Sequence, residues 1–371
     1  MSDVRINLLL PGQSSRYSVL YSDYSDLAIG LRKLGVKSRV LLIKFNERTA
    51  EFPYRVPEFE EIYVNRVQEF LNNDEFYVMP DDFPLLMHFN KHHLFPRNSL
   101  IWAHYFYGHK FIFKKYRDVP FENFNVNRRF KLLEYVPFKL MYINSGFYRG
   151  ALAGYPVVAQ SLWTLLLLER VYNLRVIGLL RTPVEESIYP LQEEKEDRAL
   201  IYLGGFEDTD LNALRTTLKF LSKADSGLKF DAFGDERVAS LIGKEFRVNY
   251  LGKLERDELS REYGRHLLTI SPIYNGNFEM VPVQSLLCGT PVITFPQPFM
   301  EVTGDSPMIA NIEYVPELKD RIRLWRGEMG EIRKIVRNRI LEEMDNAVVA
   351  RKLVYDYLLR LSETVENEDV E

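Results

Sequence analysis

The chain has 371 residues, 46% of them apolar, and a formal net charge of −4 at pH 7. That length supplies about two domains at ~100–200 residues each, and the acidic balance argues against a general nucleic-acid binder, which carries a basic excess. The single cysteine, Cys288, excludes an internal disulfide and fits a reducing compartment; in its apolar run a packed, inert thiol is expected.

The opening "MSDVRINLLLPG" holds too short an apolar run for a secretory signal. Residues 5–10 read as a buried strand, 12–25 as a polar loop rich in Ser and Tyr, and 26–34 as a helix stopped by Gly35. A second strand, 36–44, completes a β-loop-α-β unit of the parallel-sheet type. Short strands are predicted over 75–79 and 100–103, ending at Pro80-Asp81-Asp82 and at His104-Tyr105-Phe106-Tyr107. A strand over 157–160 leads into a helix over 161–172 and a strand over 175–180. The apolar part of that helix meets Glu169 and Arg170, short of the ~20 residues a membrane span needs. The expected location is the cytoplasm.

Residues 181–198, with two prolines and dense charge, read as an interdomain linker. The pattern then restarts. Strands over 199–203, 228–233, 248–251 and 267–271 end at Gly204-Gly205, Gly234, Gly252 and Ser271, with a helix over 211–221 after the first. In an open parallel sheet, ligands bind outside these carboxyl ends. The last strand leads into "SPIYNGNFEMVPVQSLLCGTPVITF": a polar loop, a short apolar helix from Met280, and a strand over 292–295. The acidic tail 363–371 is expected to be disordered.

At this point the residues carry a family resemblance. "ALIYLGG", "KFDAFGD", "VNYLGKLERDELSREY", "TISPIYNGNFEMVPVQSLLCGTPVITF" and "MEVTGDSP" follow the order and spacing of the second domain of GT-B glycosyltransferases, resembling the retaining family 4. "VVAQSLWTLLLLERVYNLRVIGLLRTPVEESIYP" resembles the end of that family's first domain. The likeness is specific over about 199–306 and looser before it. It implies an α/β GT-B fold: two Rossmann-like domains whose parallel sheets face across a cleft, 1–185 for the acceptor and 186–345 for the donor, then a C-terminal helix and tail, 346–371. In the family such a helix packs back on the first domain.

The resemblance implies a nucleotide-diphosphate sugar as donor substrate. A helix starting at Met280 presents free N–H groups and partial positive charge, suited to a diphosphate. Donor-binding candidates are Gly12, Arg16, Gly204, Gly205, Gly252, Lys253, Asn277, Phe278, Met280, Val281 and Gln284, the last facing the ribose. His104 and Glu279 are the catalytic candidates, His104 because the family often places a histidine there near the sugar; a purely structural histidine is the other reading. The family's paired glutamates, eight apart, are replaced by Gly276 and Gln284. Its Arg and Lys after the first donor-domain strand are replaced by the acidic stretch Glu207, Asp208 and Asp210, with Lys253, Arg181 or Arg16 as substitutes from other loops.

His109 is a weaker candidate. His88, His92 and His93 sit in a Pro- and Phe-rich stretch read as a loop, without a carboxylate or Cys partner set, so no metal and no cofactor is expected. Residues 110–139 interleave eight basic residues with aromatics; relatives use such a surface to meet a lipid-linked acceptor, and an ordinary solvated face is the alternative. The expected function is transfer of a sugar, with retention, to an unknown acceptor (glycan, lipid or protein). An inactive nucleotide-sugar binding protein and a nucleotide-sugar epimerase are the alternatives.

Overall fold

The computed structural model describes residues 5–12, 19–47, 49–104, 150, 152, 154–170, 172–205, 208–274, 278–327 and 329–361. Arg16, His109, Glu207, Gly276, Asn277, the 110–139 segment and the 363–371 tail lie outside them. The chain divides into two compact units: residues 1–185 with 343–371, and residues 186–342.

In the first unit β1 (Arg5–Pro11), α1 (Val19–Lys33), β2 (Lys37–Lys44), β3 (Phe59–Tyr63), β4 (Phe76–Pro80), α2 (Phe83–Lys91), β5 (Ser99–Ala103), β6 (Val157–Ala159), α3 (Leu162–Arg170) and β7 (Val176–Leu179) follow in order. Seven strands form a parallel sheet ordered β3-β2-β1-β4-β5-β6-β7. A parallel sheet covered on both faces needs apolar residues at every position, not at alternate ones. In "RINLLLP" every residue from Ile6 to Pro11 is buried, and all are apolar except Asn7, whose amide is hydrogen-bonded to Glu75 at 2.7 Å. The edge strand β3 does not: of its five residues only Ile62 is buried.

Two predicted loops are helices instead. α1 begins at Val19, seven residues before the predicted start at 26. Its apolar face is Tyr21, Tyr24, Leu27, Ala28 and Leu31, a helical spacing obscured because Asp23, Ser25 and Asp26 are buried as well. His88 lies within α2, not in a loop; Asp82 caps that helix, accepting the Leu85 N–H at 3.0 Å. His92 closes it.

The second unit holds β8 (Glu196–Leu203), α4 (Leu211–Ala224), β9 (Lys229–Gly234), α5 (Glu236–Ile242), β10 (Val248–Tyr250), α6 (Arg256–Arg265), β11 (His266–Ser271), α7 (Met280–Leu287), β12 (Val292–Thr294), α8 (Met300–Thr303), β13 (Ile309–Asn311), α9 (Leu318–Trp325) and α10 (Gly330–Met344), whose last turn crosses the unit boundary. Its parallel sheet is ordered β10-β9-β8-β11-β12-β13. α4 shows the local logic: Asp210 caps it with two backbone hydrogen bonds at 3.0 Å, and Leu214, Thr217, Leu218 and Leu221 form its buried stripe.

The predicted linker is only partly a linker. From residue 186 onward it is bound tightly into the second unit. Tyr189 is buried, and the Arg337 guanidinium donates to its carbonyl. Lys195 donates to the carbonyls of Gly264 (2.7 Å) and Cys288 (3.0 Å) and to the Thr290 hydroxyl (2.7 Å). β8 itself begins at Glu196, inside the predicted linker.

The chain ends in the first unit. Val184 N–H donates to the Met344 carbonyl (2.8 Å) and Asn346 N–H to the Val184 carbonyl (3.0 Å). α11 (Asn346–Lys352), continued by a wider π-turn over Leu353–Leu358, places Val349, Ala350, Leu353 and Leu358 in the core around α1 and β1. Gly30 permits this approach: a Cβ there would lie 2.1 Å from the Asn346 carbonyl oxygen. Among the described residues no helix is long and apolar enough to cross a membrane.

Candidate functional site

In the second sheet the chain runs outward one way through β8, β9 and β10 and the other way through β11, β12 and β13. The reversal lies between β8 and β11, and a ligand crevice forms at such a switch point, beyond the carboxyl ends of the strands. The loops leaving these two strands are stitched together there. Asp210 N–H donates to the Pro272 carbonyl (2.8 Å), Tyr274 N–H to the Asp208 carbonyl (3.2 Å), and the Thr209 hydroxyl to the Gly204 carbonyl (3.1 Å). Gly204 is buried against Ile273, whereas Gly205 is exposed.

α7 starts at this point. Glu279 is its N-cap residue with extended backbone, yet its side chain makes no capping hydrogen bond. Phe278, Met280 and Val281 are buried; Glu279 and Gln284 are half-buried. The Ser285 hydroxyl donates to the Thr269 hydroxyl at 2.8 Å, seating α7 on the sheet face that Thr269 occupies. Ser271, two residues on, shares that face, and its register partner is Thr294. Both are buried, and neither hydroxyl has a hydrogen-bond partner among the described residues. Buried hydroxyls are normally bonded, so the carboxyl ends of β11 and β12 carry unused polar capacity.

The electrostatics are unusual for a diphosphate site. Burial pushes the Tyr202 hydroxyl well up, and the carboxylates of Glu279 and Asp208 push it further. The predicted acidic character of the loop after β8 is therefore felt at the switch point itself. Gly252 and the exposed Lys253 follow β10, two strands from β8. Gly252 accepts the Gly234 N–H at 2.9 Å. Gly234 has φ of +115°, and a Cβ on it would lie 2.0 Å from the Leu203 carbonyl oxygen, so only glycine fits where β9 ends beside β8.

In the first unit the order of strands reverses between β1 and β4. Gly12, after β1, donates its N–H to the Ile43 carbonyl at 2.8 Å. His104, after β5, is only 7% exposed. Its backbone N–H donates to Asp81 Oδ1 (2.9 Å), and its Nδ1 lies 2.9 Å from the Trp102 carbonyl oxygen. Burial pushes the imidazole down to about 3, so it is neutral at physiological pH. Nε2 lies 3.7 Å from Asp23 Oδ2. Arg181 belongs to this unit, held by Glu343 (3.1 Å) and the Gln160 carbonyl (3.2 Å).

The structure thus gathers Gly204, Gly205, Phe278, Glu279, Met280, Val281 and Gln284 around one switch point. Asp23, Tyr202 and Thr294 were not singled out from sequence, and Asp81 and Ser271 were named only as strand ends. The Asp81-Asp82 pair after a strand was a visible signal; Asp23 was hidden by reading α1 as a loop.

No family model matches the chain. A chloroplastic translation factor GUF1 homolog of Arabidopsis thaliana is 27% identical over 163 residues, 42% of this chain and 23% of that protein. Elongation factor 4 of Phytoplasma australiense is 25% identical over 189 residues, 49% of this chain and 29% of that protein. The chain therefore spans under a third of either curated relative.

The structural likenesses run along nearly the whole chain. Sucrose-phosphate synthase from Thermosynechococcus elongatus superposes with a TM-score of 0.69 at 13% identity, covering 97% of this chain and 100% of that one. An α-glucosyltransferase in complex with UDP and a 13-mer DNA containing an HMU base gives 0.63 at 10%, covering 96% and 99%. A glycosyltransferase involved in avilamycin A biosynthesis gives 0.58 at 12%, covering 97% and 98%. At these identities the likeness shows the fold: the chain has the GT-B fold, with two Rossmann-like parallel sheets.

Proposed function

We propose that the chain is a glycosyltransferase that moves a sugar from a nucleotide-diphosphate sugar to an acceptor, with retention at the anomeric carbon. The observation that carries this reading is the start of α7. A helix N-terminus without a side-chain capping hydrogen bond stands at a topological switch point, and the carboxyl ends of β11 and β12 carry two buried hydroxyls that have no hydrogen-bond partner among the described residues. Free N–H groups and the positive end of the helix dipole suit a diphosphate. The UDP held by the structurally similar α-glucosyltransferase supports a nucleotide as its carrier.

In this reading Gly204, Gly205, Met280 and Val281 offer backbone to the diphosphate, and Gln284 accepts from the ribose. Glu279 and His104 orient sugar. The chemistry comes from stabilising the departing nucleotide diphosphate at the α7 N-terminus and from positioning. No cofactor or metal is invoked. The acceptor stays open, because similar folds carry names as different as sucrose-phosphate synthase and a DNA-bound glucosyltransferase. We place the protein in the cytoplasm, with residues 110–139 as a peripheral membrane contact.

A second reading, a nucleotide-sugar binding protein without turnover, is favoured by Asp208 and Glu279 around Tyr202, where carboxylates repel phosphate. One experiment separates the two. UDP-, GDP-, ADP- and dTDP-sugars are screened by thermal shift, where a ligand at 100 times its Kd stabilises by about 2.7 kcal/mol. The best binder is then assayed for release of free nucleotide diphosphate. Stabilisation with release supports the transferase; stabilisation without release, across an acceptor panel, supports the binding protein; no stabilisation by any sugar nucleotide removes both.

A further inference from the structure

The end of α7 opposite the proposed diphosphate is held by two cations. Lys195, one residue before β8, donates from a single ammonium to the Gly264 carbonyl in the last turn of α6 (2.7 Å), to the Cys288 carbonyl that closes α7 (3.0 Å) and to the Thr290 hydroxyl on the way into β12 (2.7 Å). Three N–H bonds on one nitrogen meet three acceptors. The Thr290 hydroxyl donates in turn to the Tyr263 carbonyl at 2.5 Å, and the Gln192 N–H adds a bond to the Cys288 carbonyl at 3.3 Å. Arg337 of α10 donates to the Leu287 carbonyl, one residue earlier. The carboxyl end of a helix is where its dipole favours a cation.

Only Lys195 of these two cations can lose its charge near neutral pH. Burial pushes its ammonium down to about 7, Arg333 of α10 pushes it the same way, and the Cys288 thiol opposes them. That thiol is itself pushed up to about 11 by burial, so it is neutral here. Arg333 donates to the Glu193 carbonyl (2.8 Å), and Arg337 has Glu186 as its counter-ion (3.1 Å). A neutral amine keeps two N–H bonds and gains a lone pair, so one of the three Lys195 contacts must change when the proton leaves. α7 has eight residues, a length of about 12 Å at ~1.5 Å each. Over that distance a dianion at the amino end favours the charged amine at the other by about three- to tenfold.

We propose that Lys195 is a positioning residue for donor binding: it ties the carboxyl ends of α6 and α7 together, sets the lie of α7, and couples donor affinity to pH through its proton. This rests on the donor-site reading for the presence of a diphosphate, not for the three contacts. The sign follows from linkage. A bound diphosphate raises the affinity of Lys195 for its proton, so binding takes up a proton near pH 7 and weakens as pH rises through that value. The nucleotide never touches Lys195, which acts through α7 alone and through the field along it.

The test uses the full chain with UDP-glucose and GDP-mannose, whose diphosphates carry no group that titrates near pH 7. Calorimetry in two buffers of different ionisation enthalpy reads the proton taken up on binding. The wild type should take up a fraction of a proton at pH 7 and bind about three- to tenfold more tightly at pH 6 than at pH 8; Lys195→Met should show neither effect. Hydrogen exchange supplies a readout without ligand. In Lys195→Met, residues 256–265 and 280–288 should lose protection by about tenfold or more, the worth of a hydrogen bond to a charged group, while α4 keeps its own. Binding without proton uptake in the wild type overturns the proposal while the donor reading stands, and that measurement needs no variant to fold. Uptake that persists in Lys195→Met places the proton elsewhere and overturns it as well. A loss of protection shared equally by α4 means that Lys195 supports the whole unit rather than the lie of α7, and also overturns it. If neither probe binds and the loss is confined to α6 and α7, the placing of α7 by Lys195 is supported and the donor reading is overturned instead.

Discussion

The imidazole of His104 lies 4.0 Å from the indole of Trp102, centroid to centroid, and its Nδ1 is 2.9 Å from that residue's own carbonyl oxygen. The histidine is therefore part of the packed end of β5 as well as a candidate site residue. His104→Ala should cost about 2–4 kcal/mol, from the cavity and the unpaired carbonyl, and reduce turnover by about 10²-fold. The pH dependence has a definite sign. Burial places the folded-state group at about 3, below its usual ~6.5. The unfolded chain then binds the extra proton between these values, so stability is full above about 6.5 and falls as pH drops toward 3. Urea unfolding at pH 7 and pH 4 checks this: the difference between the two pH values should be smaller in the alanine variant. An unchanged difference would mean that His104 is charged in the fold.

Gln284 lies in the second turn of α7, half-buried, beyond the helix end that we assign to the diphosphate. Gln284→Ala should raise the Kd for the nucleotide diphosphate by about three- to tenfold, one hydrogen bond's worth. Gln284→Glu should keep or improve binding, because a carboxylate accepts a ribose hydroxyl more strongly. Isothermal titration on both variants decides it; identical affinities in all three proteins would take this side chain out of the site.

Asp231 in β9 anchors the opposite, amino end of the second sheet. It is fully buried and accepts hydrogen bonds from the forked Arg198 guanidinium, from Asn249 (2.7 Å) and from His266 Nε2 (2.9 Å). Burial alone would raise its carboxyl, but these three partners outweigh it and hold the group at about 2. A carboxylate below its usual ~3.9 contributes stability that is present above that value and lost as pH falls toward 2. Asp231→Asn should cost about 3–5 kcal/mol at pH 7, since it strands a buried charge. Denaturant titrations should show the gap from wild type closing between pH 4 and 2. A gap that stays constant would mean that the cluster does not hold the proton off.

Much of this was legible in the sequence, and for a physical reason. In buried parallel strands apolar runs mark the element, and glycine or polar residues mark its carboxyl end, so Gly204-Gly205, Gly234, Gly252 and Ser271 were legible as strand ends; that the first and last flank the switch point follows only from the strand order. Elements that bury polar groups were not legible. α1 hides Asp23 and Asp26 on the side of a helix and so read as a loop. Lys195 and Tyr189 looked like linker residues because their partners, the carbonyls at the ends of α6 and α7 and the guanidinium of Arg337, are distant in sequence. The loss of basic residues after β8 was visible. That Asp208 and Glu279 converge on Tyr202 was not, since the two are far apart in the chain and meet only through the pairing of β8 with β11.

That convergence gives the last prediction. Asp208 and Glu279 are both half-buried, and both raise the Tyr202 hydroxyl through their charge. If the N-terminus of α7 holds a diphosphate, each carboxylate acts against it at short range, partly screened by solvent. The two differ in what they offer in return. Asp208 leads into the α4 cap and has no place in the proposed chemistry, so Asp208→Asn should tighten nucleotide diphosphate binding by about two- to fivefold, the size of a partly exposed charge interaction. Glu279 stands at the mouth of the site, where it is assigned to the sugar. Glu279→Gln should therefore leave nucleotide diphosphate affinity unchanged or slightly improved, and lower turnover of the sugar nucleotide by about 10²-fold. Raising the salt concentration should narrow the affinity difference between wild type and Asp208→Asn, because screening weakens the repulsion that the variant removes. Titration calorimetry with nucleotide diphosphate at low and high salt, together with turnover assays, reads all three effects. Weaker binding in Asp208→Asn would show that the carboxylate supports the nucleotide, as a bridge through a divalent cation would; full turnover in Glu279→Gln would move the sugar away from the α7 N-cap.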